Sequence, residues 1–340
     1  MKAVELNGYE GLESLKVVEV PTPQISENEC LIEVKATGIN FAELELTHGR
    51  YTVGKKPPFI MGFEAAGVVR EVGAAVKNLR AGDRVTTIVS SGGYADFAAA
   101  AAEMAIPIPA GVSFAEAVAI PIQGLTAYLL LKEIARVNNS DSVLIQSAAG
   151  GVGSLLVQLA KIFGVKSVIA LVGSQEKASF VKSLGAEVVV DSSAEDWADR
   201  VREATDGRGA DVVLEAASGE FGKQSYKLLA PFGRMVLFGA RNIYDTFAPH
   251  HVQQLIYNNQ TLIGFNIPSY EPELLAASIG PLLELIASGR LKLFAETQFP
   301  LQRVREAFEA LASRRTVGKI VLILGNASES EFHSVRKPAR

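Results

Sequence analysis

Between residues 142 and 265 the apolar positions fall into short unbroken runs, each followed by a stretch in which they recur every three or four residues. The runs at 142–145, 167–172, 187–190, 211–214, 234–238 and 261–265 predict six strands. They are rich in Val, Ile and Leu without polar alternation, the pattern of strands covered on both faces. The intervening segments 152–163, 175–184, 195–204 and 221–229 read as helices, with a helical piece near 252–258. Leu155, Leu156, Leu159 and Ile162 mark the buried stripe of the first, and Gly185 is placed as the C-terminal cap of the second. Strands alternating with helices specify an α/β architecture, a Rossmann-type doubly wound parallel sheet.

The flanking sequence has another rhythm. Short β-prone runs at 15–20, 30–34, 65–71 and 84–89 are separated by Pro, Gly and Asn, and Ala81-Gly82-Asp83-Arg84 has the chemistry of a turn. The alanine run 98–102 predicts a strand or strand edge. Ser113 and Glu116 form a capping-box pattern, after which helical character runs to about residue 136, interrupted near Pro121 and Gly124. Beyond 265 come a long helix (272–288), a strand (291–299), a further helix and a final strand (319–324). That segment is too small to stand alone. The expected organisation is a β-rich domain of residues 1–122 completed by 266–325, a dinucleotide-fold domain of 123–265, and a polar, aperiodic, flexible tail of 326–340. No internal repeat is present.

Composition agrees with this picture and narrows it. A chain of 340 residues suits two domains, and 48% hydrophobic residues with a net charge of −4 supply packed cores without the basic surface of a nucleic-acid binder. The single cysteine, Cys30, excludes an intramolecular disulfide framework and fits a reducing compartment; its apolar run places it in a buried strand. No apolar core follows Lys2, so Met1–Glu5 does not begin a signal peptide. Residues 142–160 carry no charge, but the glycines in their middle divide them into pieces too short to span a bilayer. The expectation is a cytoplasmic protein without a membrane span.

The candidate chemistry centres on Ser147–Gly153. Ala148, Gly150 and Gly153 occupy the three small-residue positions of a G-x-G-x-x-G turn, with alanine in the first, between a predicted strand and helix. Such a turn lets the backbone approach a pyrophosphate, which then rests on free N–H groups at the helix N-terminus. Ser147, Gly150, Gly151, Val152 and Gly153 are therefore candidate cofactor-binding residues. The next strand ends at Gly173-Ser174-Gln175-Glu176-Lys177 with no carboxylate at its tip to bind an adenosine ribose. Ser174 can donate a hydrogen bond and Lys177 can pair with a phosphate dianion, which favours NADP(H) over NAD(H). The alternative leaves Lys177 a solvated residue in a helix's first turn.

A β-rich domain, an inserted dinucleotide fold and a returning segment resemble the medium-chain dehydrogenase/reductase superfamily. The resemblance extends to about Gly325 and is carried by Gly38-Ile39-Asn40-Phe41-Ala42-Glu43, Met61–Gly67, Gly82-Asp83-Arg84-Val85 and the Ser147–Gly153 turn. Asn40 and the Ala-Ala-Gly-Gly-Val-Gly turn look like its zinc-independent quinone oxidoreductase branch. The resemblance implies a GroES-like fold for the first domain. Zinc members place a cysteine near Ile39 or Asn40 and a histidine at Phe63. Phenylalanine cannot ligate a metal, and His48, His250, His251 and His333 have no metal spacing, so no metal is expected.

The resemblance further implies that Asn40 lies near the nicotinamide and its ribose, Thr126 near the nicotinamide face, and Lys319 against the pyrophosphate. It also implies a lysine at the Lys177 position for the 2′-phosphate. Phe238, Gly239, Phe265 and Asn266 end predicted parallel strands, where such a sheet binds ligands. For Thr126 and Phe238, ordinary packing stays open. Tyr51 is the candidate hydrogen-bond or proton donor beside Asn40, or else an aromatic that shapes the cleft. His250 and His251 are placed in a loop and given no role.

Hydride transfer without a metal suits electron-poor acceptors, quinones or α,β-unsaturated carbonyls (enones). An enoyl-thioester reductase, free-standing or part of a synthase, and a non-catalytic NADPH-binding protein remain alternatives. A homodimer is expected, since an edge strand at 261–265 leaves unpaired backbone groups and the family pairs this region across a dimer axis.

Overall fold

The structure, a computed structural model, describes residues 1–51, 54–239 and 249–325, apart from the side chains of Pro249, His250 and Val252. The expected tail at 326–340, including His333, lies outside the described residues. The chain forms two compact units. One comprises Met1–Ile122, Pro272–Gly289 and the described residues from Leu293 on. The other comprises Gln123–Glu271 with Arg290–Lys292.

Sixteen strands are described. In the first unit they are β1 (Lys2–Leu6), β2 (Leu15–Glu19), β3 (Glu29–Ile39), β4 (Phe59–Ile60), β5 (Glu64–Val72), β6 (Arg84–Ile88), β7 (Phe97–Ala101) and β8 (Ile106–Pro107). The second contains β9 (Ser142–Ile145), β10 (Ser167–Val172), β11 (Val188–Asp191), β12 (Ala210–Glu215), β13 (Leu229–Leu237) and β14 (Thr261–Gly264). β15 (Thr297–Pro300) and β16 (Ile320–Ile323) return to the first unit.

The first unit has a small sheet in the order β2-β1-β4 and a large one in the order β15-β16-β3-β5-β6-β8, with β7 also paired to β3. The first part of β3 alternates as a half-covered strand should: Cys30, Ile32, Val34 and Ala36 are buried, and Leu31, Glu33 and Lys35 between them are partly exposed. Val34 and Ile39 join Val4, Leu6, Met61, Phe308 and Leu322 in one core, whereas Cys30 and Ile32 pack with Val69 and Val85 in a second. Burial pushes the Cys30 thiol up to about 11, which leaves it an inert core residue. The return segment completes this unit because β16 pairs antiparallel with β3, Ile320 opposite Ile39.

The second unit is an all-parallel sheet in the order β11-β10-β9-β12-β13-β14. The chain runs outward from β9 to β11, then crosses back to β12 on the other side of β9. That reversal puts a ligand crevice at the carboxyl ends of the central strands.

Four of the elements read from the sequence differ in the structure, and β1, β4, β8 and the helix Phe41–Thr47 were not read from it. β13 starts at Leu229 rather than Arg234, with a register shift after Leu229 that accommodates Phe232 in a left-handed conformation. The strand expected over 291–299 is confined to Thr297–Pro300; upstream, the Phe294 carbonyl instead accepts from the backbone N–H of Lys319. His250 and His251 lie in a helix, Pro249–Asn258, rather than a loop. The Tyr226 hydroxyl donates to the His251 carbonyl at 2.9 Å and the two rings meet edge-on. The helical stretch after Ser113 has its capping box, but Ile120–Gly124 and Leu130–Ile134 are wider π-type turns, the first around Pro121, which has no N–H to give. Phe114–Ile134 is also the one helical stretch among the described residues long and apolar enough to cross a membrane, and most of it is buried inside the protein.

Candidate functional site

The dinucleotide turn leaves β9 through Gln146 and Ser147, the latter in a left-handed conformation with φ of +50°. Ala148 N–H donates to Leu171 O and Gly150 N–H to Ser147 O, so the turn is tied to β10 and closed on itself. Gly150 is the extended N-cap of the helix Gly151–Ile162. Val152 and Gly153 fall in that helix's first turn, where backbone N–H groups lack intrahelical partners. A Cβ on Gly153 would strike the carbonyl of Ser147 and backbone atoms of Ala148, so only glycine lets the helix start this close to the strand tip.

The other expected cofactor residues of this unit lie along the same edge. Gly173 follows β10, and a Cβ there would meet open space. Ser174 caps the helix Gln175–Ser183, its Oγ accepting from Lys177 N–H at 3.3 Å while its O–H can still donate. Lys177 thus sits in a helix's first turn beside a tip without a carboxylate. Phe238 and Gly239 follow β13; Phe238 N–H bonds Glu215 O, and Gly239 packs against the Ala216 carbonyl. Phe265 follows β14 and donates to Leu237 O. Thr126 is buried in the helix Leu125–Leu129.

Sequence reading missed the polar side chains that brace this edge. Gln146 Oε1 accepts from the N–H groups of Ala216 and Ala217, both at 3.0 Å, and its Nε2 donates to Ser225 Oγ at 2.7 Å. Glu215 Oε1 accepts from Ala217 and Ser218 N–H; burial nevertheless raises its pKa. Both residues sit at strand ends; the backbone partners of Gln146 are 70 and 71 residues away in sequence, those of Glu215 only two and three.

In the first unit, Asn40 ends β3 and caps the helix Phe41–Thr47. Its backbone N–H donates to Glu43 Oε2 at 2.9 Å, the reciprocal bond of a capping box. Its side-chain Nδ2 donates to Glu43 Oε2 at 3.2 Å and to Glu64 Oε1 at 2.8 Å, and its Oδ1 accepts from Lys319 Nζ at 2.7 Å. Lys319 also forms an ion pair with Glu64 in which neither side chain reaches solvent. A lysine can only donate and a carboxylate accepts, so these partners fix which way the Asn40 amide points. With both Nδ2 hydrogens committed, this 7% exposed side chain has no donor left over. Asn40 therefore has no N–H to offer an acceptor's oxygen.

Lys319, which the family resemblance sets against the pyrophosphate, is 1% exposed here and its ammonium is held by Glu64 and Asn40. The gap it fills is made by Gly38, where a Cβ would strike both Lys319 and Glu64. Tyr51 is half-buried, tilted against Phe63 with ring centroids 6.5 Å apart. Burial, and then the charge of Glu43, raise its pKa, so its hydroxyl keeps its proton through neutral pH.

Burial, reinforced by Glu64, pushes the Glu43 carboxyl up to about 7. The unfolded chain releases that proton near 4.5. Stability from the held proton is thus fully present below 4.5 and is lost as pH rises to about 7. Urea unfolding should show stability falling across this window with a slope approaching about 1.4 kcal/mol per pH unit at most, and flattening above it. Glu43→Gln should remove most of that slope; an unchanged slope would assign it elsewhere.

Residues 26–123 match the alcohol dehydrogenase GroES-like domain and residues 151–286 the zinc-binding dehydrogenase domain. Quinone oxidoreductase 1 of Escherichia coli is 35% identical over 328 residues, which is 94% of this chain and 98% of that protein. A highly reducing polyketide synthase of Cladosporium cladosporioides is 32% identical over 327 residues, 94% of this chain but 13% of the synthase. The crystal structure of Escherichia coli quinone oxidoreductase complexed with NADPH superposes with a TM-score of 0.88 at 32% identity, over 95% of this chain and 100% of that one. A GroES-like β domain, a dinucleotide turn on a six-stranded parallel sheet and these likenesses lead to one statement: the chain belongs to the medium-chain dehydrogenase/reductase superfamily of oxidoreductases, in its quinone oxidoreductase and enoyl reductase branch.

Proposed function

We propose that the protein is an NADPH-dependent, metal-free reductase of quinones or α,β-unsaturated carbonyls. The observation that carries this reading is the state of Asn40, Phe63 and Glu64, the neighbourhood in which zinc relatives keep ligands. The Asn40 amide is saturated on its nitrogen, Phe63 has no lone pair, and Glu64 is buried in an ion pair with Lys319. That donor set does not fit a zinc ion, although one matching domain is named for zinc.

The dinucleotide fits better. The Ser147–Gly153 turn, with the close approach that Gly153 permits, would hold the pyrophosphate at the N-terminus of the helix Gly151–Ile162. Ser174 and Lys177 would take the 2′-phosphate, and Gly173, Phe238, Gly239, Phe265 and Thr126 would line the strand ends. Asn40 is the first unit's candidate for the nicotinamide half. When bound, the nicotinamide supplies the hydride. The protein's share is to orient, to exclude water and to place a donor where charge develops on the acceptor's oxygen. Tyr51, which keeps its proton through neutral pH, is the donor in the first unit. The test is NADPH oxidation, followed by nicotinamide absorbance, over simple quinones, enones and crotonyl thioesters. Turnover of quinones or enones supports the reading; turnover of thioesters alone moves it to enoyl-thioester reduction, which the polyketide synthase likeness favours as the second reading. No turnover of any class leaves a non-catalytic NADPH-binding protein.

Two expectations accompany this reading. Lys177→Ala should raise the Michaelis constant for NADPH about tenfold while sparing NADH, the loss of one charge-assisted contact; steady-state kinetics with both cofactors checks it. β14 is the outer strand of its sheet, and Ile256 and Tyr257 just before it are 70% and 73% exposed. A homodimer along this edge would pair the strand and cover those side chains; sedimentation equilibrium should give twice the chain mass of 36.2 kDa. A cytoplasmic setting, supported by the lone buried Cys30, completes the proposal.

A further inference from the structure

Gln123 opens the second unit. Its side chain is 8% exposed, and its Oε1 is buried without a hydrogen-bond partner among the described residues. The amide lies directly on Gly151, the first residue of the twelve-residue helix that follows the dinucleotide turn. A Cβ at Gly151 would strike Gln123 Oε1, Nε2 and Cδ. A buried amide oxygen without a donor is costly and rare in a folded protein. It sits here against the helix N-terminus where the cofactor phosphates would rest.

The orphan is an acceptor, and pyrophosphate offers it nothing, because a phosphate dianion has no hydrogen to give. With the adenosine end assigned to Ser174 and Lys177, the dinucleotide's remaining donors belong to the nicotinamide half: the ribose hydroxyls and the carboxamide N–H₂. We infer that Gln123 is a cofactor-anchoring residue whose Oε1 accepts a hydrogen bond from the nicotinamide-ribose half of NADPH. Gly151 is glycine as much to admit this amide as to admit the pyrophosphate. The inference rests on the reading that this unit binds NADP(H).

Titration calorimetry with three ligands tests it. NADPH carries both donor groups, 2′-phospho-ADP-ribose keeps the ribose hydroxyls only, and 2′,5′-ADP has neither. Gln123→Leu should weaken NADPH about tenfold, the worth of one buried hydrogen bond left unmade, and leave 2′,5′-ADP unchanged, which also shows that the turn is still folded. Matching loss with 2′-phospho-ADP-ribose assigns the hydroxyl, and loss with NADPH alone assigns the carboxamide; either supports the inference. Should Gln123→Leu bind no ligand and melt early, Gln123→Asn, which withdraws the same amide by one methylene, should show the same selective loss. A variant that binds all three ligands like the wild type overturns the inference alone. A wild-type chain that binds neither NADPH nor 2′,5′-ADP overturns the cofactor reading and the inference with it.

Discussion

Lys319→Met should cost about 3–5 kcal/mol of stability at pH 8, the range for breaking a buried ion pair from one side. The substitution keeps the aliphatic stem and so leaves little cavity; what it removes is the ammonium. Glu64 then remains wholly buried, with Oε2 already without a partner and Glu43, a second carboxyl, close enough to raise its own proton affinity. The sign with pH follows from that geometry. Without the cation, the cluster holds protons more tightly folded than unfolded, so its cost is largest where the unfolded chain is fully ionised and shrinks as acid protonates the cluster. The deficit relative to wild type should therefore be smaller at pH 5 than at pH 8 in paired urea titrations. A deficit below about 1 kcal/mol at pH 8, typical of an exposed pair, or one independent of pH, would refute the view of Lys319 as the cluster's counter-charge.

The partners of Lys319 were beyond what the sequence displays. The chain displays a lysine just before a terminal apolar run, and that is all. Its partners, Asn40 and Glu64, are 279 and 255 residues away. They meet only because β16 lies antiparallel beside β3 with Ile320 opposite Ile39, which carries Lys319 to the end of β3 where Asn40 begins the next helix. No local pattern encodes that register. What was local was readable. The parallel strands announce themselves as unbroken apolar runs, and the Ser147–Gly153 turn as small residues between strand and helix. The tip at Gly173 and Ser174 shows by its missing carboxylate. Glu43 was also within reach, since Asn40 and Glu43 stand in the spacing of a capping box, the same signal that located Ser113 and Glu116. Gln123 was not, because an amide in an apolar helical stretch looks like any partly buried residue until its oxygen is seen without a donor.

Gly153→Ala should weaken NADPH binding by at least about tenfold and cost about 1–3 kcal/mol of stability, the usual range for forcing a methyl into a full site. The three glycines of the turn are not equivalent. At Gly150 a Cβ would meet only the Ser147 carbonyl, at 3.2 Å. At Gly151 it would meet the end of the Gln123 side chain, which can swing away. At Gly153 it would meet the Ser147 carbonyl together with Ala148 Cα at 2.7 Å and Ala148 C at 2.9 Å. Those are backbone atoms of a turn already held by the Ala148 to Leu171 and Gly150 to Ser147 bonds, so they cannot yield separately. The helix must retreat from the strand tip as a body, carrying its first N–H groups away from the point on which they converge. Calorimetry and thermal melts on the three alanine variants should rank Gly153 as the worst for binding and Gly150 as the mildest for stability. If Gly153→Ala binds NADPH as tightly as the wild type does, close packing of helix on strand is not what shapes this phosphate site.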